Sequence, residues 1–128
     1  MKKHVKKKKK EIVPLATLKV LARLNNTILS LCKPNGDVLN QVSCGSLGFK
    51  NCRKSTPHAT QLAIKQIFTN AIEMFMVKQI DIVVKGPGLG RDSILTHIQS
   101  VQGVEILSIS DVTNIPFGGV RTRRAKRN

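Results

Sequence analysis

Three short segments hold residues whose types and spacing suit an anion. They are Asn25-Asn26-Thr27, Gly48-Phe49-Lys50-Asn51-Cys52-Arg53-Lys54-Ser55-Thr56-Pro57 and Lys85-Gly86-Pro87-Gly88-Leu89-Gly90-Arg91. Each mixes small residues, which let another backbone come close, with cations or amide side chains. Gly45 and Ser46, just ahead of the second segment, share its character. The second and third segments each feed a predicted helix start, where free N–H groups and the positive end of the helix dipole favour an anion. Phosphate contact is the natural chemistry of such loops.

Catalysis is a poorer reading. A P-loop needs Gly-x-x-x-x-Gly-Lys-Ser/Thr, and the chain has no such string. A dinucleotide fingerprint needs a third glycine where Arg91 stands. It should also follow the first strand of its unit. A Gly-Pro-Gly-x-Gly turn taken alone is more often punctuation between strand and helix than a ligand site. The seven acids, Glu11, Asp37, Glu73, Asp81, Asp92, Glu105 and Asp111, are scattered. A two-metal nuclease wants several carboxylates at strand ends, and only Asp111 fits, without a partner. His4, His58 and His97 have no nucleophile or acid beside them. Cys32, Cys44 and Cys52 are odd in number and lack CxxC spacing. That argues for a reducing compartment and against a disulfide framework or a zinc site with His58. The expectation is therefore no catalytic residue, no metal and no cofactor.

The elements that must hold these loops follow from periodicity. Residues 17–24 alternate, with Leu18, Val20, Ala22 and Leu24 on one face, as a half-buried strand does. Residues 27–33 read as a second strand. Pro34-Asn35-Gly36-Asp37 signals a hairpin into a third antiparallel strand at 38–44. Thr56-Pro57 is a hydroxyl cap with proline in the first helical position. The helix it opens runs to about Val77. Ala59, Ala63, Ile67, Ala71 and Phe75 form one stripe, with Ile64, Phe68 and Ile72 beside it. A short β-branched strand follows at 80–85, then a helix from Asp92 to about Val101, stopped at Gly103. Val104 to Val112 is the last strand. The β-β-β-α-β-α-β order predicts an α/β domain: a mixed five-stranded sheet with helices packed on it.

Charge separates the body from its ends. The chain has 128 residues and a net charge of +15. Twelve of its 22 Lys and Arg fall in the first ten and last eight residues. The body, 11–120, carries ten cations against seven acids. Lys2, Lys3 and Lys6 to Lys10 make one arm, and Arg121, Arg123, Arg124, Lys126 and Arg127 the other. Runs this dense repel, do not bury, and are expected to stay disordered in isolation. A phosphate backbone neutralises them with an entropic gain from released counterions. Four Phe with no Trp or Tyr weaken any fold that stacks bases across a sheet. No apolar run approaches the roughly 20 residues of a membrane span. The lysine-rich start is neither a secretory signal nor an Arg/Ser presequence, so an organellar copy would be made inside its organelle. The expected division is a basic arm at 1–13, a globular domain at 14–113 and a basic tail at 114–128.

Taken together, the three loops and the string Asp111-Val112-Thr113-Asn114-Ile115-Pro116 before a basic tail resemble one family. It is small-subunit ribosomal protein eleven (S-eleven) of the bacterial and organellar type. The motifs match in order and spacing over about residues 17–128. The resemblance implies a three-layer fold with a ribonuclease-H-like sheet, order 3-2-1-4-5, strand 2 antiparallel to the rest, and no nuclease activity. It implies small-subunit rRNA as partner, in the platform beside the mRNA exit path. It also implies contact with platform proteins of the S-six, S-eighteen and S-seven type, with no membrane or small-molecule substrate. Its RNA-contacting loop falls on Gly48 to Pro57 and its basic terminus on Arg121 to Arg127. The residues expected at RNA are Asn25, Asn26, Thr27, Gly45, Ser46, Gly48, Phe49, Lys50, Arg53, Lys54, Ser55, Thr56, Lys85, Gly88, Arg91 and Asn114, with Arg121, Arg123, Arg124, Lys126 and Arg127 in the tail.

The chain departs from the family in three places. The usual Pro-His-Asn-Gly-Cys-Arg-Pro-Pro is Pro116-Phe117-Gly118-Gly119-Val120-Arg121-Thr122-Arg123. The usual Arg/Gly-rich arm is plain Lys. The usual His-x-x-Ala-Ser-Phe before Asn25 is replaced by Val20-Leu21-Ala22-Arg23-Leu24. With the presequence-free start, these departures lean to an organelle-encoded copy, mitochondrial ahead of plastid or bacterial. Two other readings are a metal-dependent nuclease on the same sheet and a nonspecific polyanion or membrane-surface binder. The first lacks its carboxylate cluster. The second explains the arms but not the loops.

Overall fold

A computed structural model describes residues 11–128, so the amino-terminal lysine arm, at residues 2–10, lies outside the described residues. Alternating apolar residues build five strands: β1 (Leu15–Ala22), β2 (Thr27–Cys32), β3 (Val38–Ser43), β4 (Gln79–Lys85) and β5 (Glu105–Asp111). Two helices join them, α1 (Pro57–Phe75) and α2 (Gly90–Ile98). The sheet order is β3-β2-β1-β4-β5. β2 is antiparallel to β1 and β3, whereas β4 is parallel to β1 and β5. The order and directions are those that the resemblance implied.

One face of the sheet carries the core. Ala16, Leu18 and Val20 of β1 register with Ile80, Ile82 and Val84 of β4, Leu18 and Val20 also with Leu31 and Leu29 of β2, and Ala22 with Thr27. The stripe of α1 lies over them, buried at Ala59, Ala63, Ile64, Ile67, Phe68, Ala71 and Phe75. Ile94 and Ile98 of α2 complete the same cluster. Ile72, expected beside the stripe, lies at its exposed margin. Both helices pack on each other and on this one face. The reason is topological. The crossovers β3-α1-β4 and β4-α2-β5 advance the same way along the sheet, and right-handed crossovers of one sense fall on one side. The described residues therefore form two layers. Among the described residues the third layer implied by the resemblance is not formed, because the chain beyond β5 runs on without a helix.

Several boundaries differ from expectation. β1 ends at Ala22, and Leu24 is exposed in the turn, where Arg23 N–H donates to Asn26 O at 2.8 Å. The hairpin after β2 gives only Gly36 a positive φ, +101°; Asn35 has none. α1 stops at Met76, which takes the left-handed conformation at φ 51° while Val77 N–H bonds Ala71 O. α2 begins at Gly90 and ends at Ile98, before the expected stop at Gly103. The body also starts earlier than Pro14. Val13 is buried, its N–H bonds Phe75 O at 3.0 Å, and Glu11 pairs with Lys33.

Candidate nucleic-acid interface

In a sheet whose strands are mostly parallel, the loops after their carboxyl ends gather at one edge, where open α/β sheets bind ligands. β1, β3, β4 and β5 all end there, and β2 begins there. The three loops and the start of the tail therefore share one end of the sheet. Cys44 N–H donates to Thr27 O at 3.1 Å, and Gly88 N–H to Ala22 O at 2.9 Å. Six of the body's ten Lys and Arg lie on these loops: Arg23, Lys50, Arg53, Lys54, Lys85 and Arg91.

The loop between β3 and α1 folds on its own hydroxyls. Ser46 Oγ donates to Ser43 O at 2.8 Å and accepts from Ser43 N–H. A 3-10 helix, Asn51–Ser55, lies where the sequence predicts plain loop and brings Arg53 and Lys54 into its last turn. Ser55 Oγ donates to Cys52 O at 3.0 Å. Thr56 Oγ1 donates to Arg53 O at 2.8 Å and accepts from Ala59 N–H, capping α1 as its hydroxyl suggests. With that N–H taken and Pro57 lacking one, the α1 N-terminus keeps its dipole but has fewer free donors for an anion than expected. Lys50 and Arg53 are exposed; Lys54 is half-buried, its stem against Gly45, where a Cβ would stand 3.4 Å from Lys54 Cδ. Phe49 is half-buried on the core and packs edge-to-face on His58, centroids 6.1 Å apart. Leu47 to Arg53 line an open concavity of ≈480 Å³.

At the same end of the sheet lies a second concavity of ≈520 Å³, lined by Arg23, Leu24, Asn25, Asn26, Ile28 and Pro87. Asn25 is exposed, and Asn26 Oδ1 accepts from Thr27 N–H at 2.9 Å. Arg23 is not among the residues expected from the sequence; the one signal for it is a cation two residues before the Asn-Asn turn.

Two expected contact residues are buried. Thr27 is fully enclosed and its Oγ1 has no hydrogen-bond partner. Gly90 packs on it so closely that a Cβ there would fall 2.2 Å from Thr27 Oγ1. Gly88 is buried against the Arg23 carbonyl, with 2.3 Å left for a Cβ. Both residues hold loops together, enclosed by their neighbours. Arg91 also differs from expectation. Its guanidinium is not free but paired with Asp111 and bonded to Gly86 O at 3.3 Å. Asp111 Oδ1 accepts from Thr113 Oγ1 and, at 3.0 Å, from Thr113 N–H. Thr113 Oγ1 in turn accepts from Gly86 N–H. The Thr113 bonds and then Arg91 hold the Asp111 carboxyl down at about 2. So Asp111, the lone nuclease-like acid of the sequence, is a structural anchor. Lys85 and Asn114 are exposed at the same end, and Arg121 to Arg127 extend from it fully exposed, without helix or strand.

Cys32 and Cys44 are buried and Cys52 exposed; burial pushes the Cys44 thiol up. Among the described residues no three His, Cys, Asp or Glu side chains gather as metal ligands would.

Comparison with known proteins adds a family. The model described as "Ribosomal protein S11" matches residues 16–127. Relatives described as "Small ribosomal subunit protein uS11" are similar along nearly the whole chain. That of Hydrogenovibrio crunogenus is 45% identical over 124 residues, covering 97% of this chain and 95% of the relative. That of Thermosipho melanesiensis is 42% identical over 122 residues, 95% and 93%. That of Thermotoga maritima is 39% identical over 122 residues, 95% and 92%.

Proposed function

The chain belongs to the ribosomal protein S11 family, and on that premise we propose that it binds small-subunit rRNA in the platform, beside the mRNA exit path, through the loop end of its sheet. As a family member it is a structural protein of the small ribosomal subunit, serving translation, and not an enzyme. One observation carries the RNA reading. Topology collects six of the body's ten cations, five of them besides the paired Arg91, with two open concavities and the root of an arginine tail at one end of the sheet. Phosphate backbones bind such edges through counterion release, and small residues in the loops admit the sugar-phosphate chain.

The contacts proposed are Arg23, Asn25, Asn26, Lys50, Arg53, Lys54 and Lys85, with Arg121, Arg123, Arg124, Lys126 and Arg127 of the tail. Gly45, Ser46, Gly48 and Asn114 offer exposed backbone and small polar groups beside them. Platform proteins of the S-six, S-eighteen and S-seven type are proposed as neighbours. The relatives above come from bacteria and give no support to a mitochondrial or other organellar setting.

The test is sedimentation of the tagged chain from its own cells in moderate salt. Recovery with the small subunit is expected. A chain that stays at the top of the gradient contradicts the reading.

A further inference from the structure

Four phenylalanines are the whole aromatic stock of the chain, and three of them belong to the body. Phe68 and Phe75 of α1 are buried, and Phe49 is half-buried with its ring against His58. Phe117 differs. It is 101% exposed, so no part of its ring is covered. A lone exposed apolar residue needs no explanation, but this one is presented. Pro116 and Gly119 close a bend around it. A Cβ at Gly119 would fall 2.8 Å from Pro116 Cβ, and Gly118 takes φ +65°. A positive φ in the third place of a four-residue turn suits glycine. The ring therefore stands at the apex of a bend, with Ile115 and Val120, also exposed, on either side of it in the chain.

The bend is tethered at both ends. Thr113, four residues earlier, accepts from Gly86 N–H, and Arg121, four residues later, begins the tail. Four residues span at most about 14 Å. The ring is thus kept between the Lys85-Gly86 loop and the arginines. Residues 112–120 themselves carry no charge. They have no cation for a phosphate, so what they bring to a polyanion is an apolar face. A base fits that face. Paired bases are already stacked within their helix, whereas bases in loops and bulges are splayed out and stack on aromatic side chains. A protein reaching the same apex would meet cations on both sides, which draw a polyanion instead.

We propose that Phe117 is a base-stacking residue. It receives one unpaired base of small-subunit rRNA while the arginine tail behind it holds phosphates of the same strand. The proposal rests on the rRNA reading above and deepens it, since it names the ligand of the connector as a base in a loop or bulge. Stacking of this kind accepts any base, because every base has a π-face.

The test is binding of the full-length chain to small-subunit rRNA across a salt series, for the parent, Phe117→Trp, Phe117→Leu and Phe117→Ala. The exposed ring supports nothing in the body, so all four should melt together. Phe117→Ala is expected to bind about tenfold more weakly at every salt concentration, the loss of one stacked base. Its slope of log K against log salt should be the parent's, because no phosphate contact is removed. Phe117→Trp should keep the parent's affinity, and Phe117→Leu, apolar but without a π-face, should fall with Phe117→Ala. In assembled subunits, p-benzoylphenylalanine in place of Phe117 is expected to join a nucleotide on illumination. Parent-like binding by Phe117→Ala or Phe117→Leu, a changed slope, or a photo-adduct with protein would overturn the stacking site and leave the rRNA reading standing. A parent chain that does not bind small-subunit rRNA defeats the reading and the stacking site together.

Discussion

The guanidinium of Arg91, at the start of α2, is ion-paired with the carboxylate of Asp111, at the end of β5. Thr113 completes the anchor by donating twice to that carboxylate and accepting from Gly86 N–H. The glycine loop and the root of the tail are thereby tied to one another, and the tail leaves the body in a set direction.

Asp111 should titrate at about 2, below its ordinary 3.8. A carboxyl held down in the folded chain stabilises it above the unfolded value, and that contribution is lost as pH falls toward 2. Arg91→Ala should raise the titration only partway, since both Thr113 bonds remain. Adding Thr113→Val should raise it further. Carboxyl NMR across a pH series reads this. A return to 3.8 in Arg91→Ala alone would contradict it. The pair is surface-exposed and screened by solvent, so Arg91→Ala should leave global stability close to the parent's.

Gly86 and Gly36 have nearly the same backbone, φ +106° and +101°, in different surroundings. A Cβ at Gly86 would stand 2.2 Å from the Ala22 carbonyl oxygen, while at Gly36 it would meet nothing within 4 Å. Gly36→Ala should cost about 1 kcal/mol, for conformation alone. Gly86→Ala should cost about 3 kcal/mol or more, lowering Tm on the order of 10 °C, because backbone must move. Equal melting of the two variants would show that close loop packing does not hold this end of the sheet.

The strands and α1 were legible because their apolar residues alternate or recur at helical spacing, and the glycine loop because nothing else tolerates so close an approach. What escaped the sequence depends on distance along the chain. Arg91 looked free because its partner lies 20 residues away. Thr27 looked like a surface hydroxyl because Gly90, which covers it, belongs to another loop. The 3-10 helix at Asn51–Ser55 is held by local hydroxyl bonds that leave no periodic signature. The described residues lack a third layer because of what lies after β5, where a connector and basic tail run on without a helix.

The carboxy-terminal tail should matter more to assembly than the amino-terminal arm, although it carries five cations against seven lysines. Four of the five are Arg, whose planar fork binds phosphate bidentately and stacks on bases. Lysines are point charges suited to sequence-blind neutralisation. Chains lacking residues 121–128 or 2–10 can compete for reconstitution into the same subunits. The tail deletion should be the weaker competitor; the reverse would mean that charge count outweighs arginine geometry.

The most direct test of the loop-end interface is the salt dependence of the full-length chain's binding to small-subunit rRNA, for the parent and for Arg53→Ala/Lys54→Ala. Each cation that meets a phosphate contributes about one unit to the slope of log K against log salt. The double variant should therefore bind more weakly, with a slope shallower by about two. A double variant with the parent's slope would remove this loop from the RNA and contradict the account.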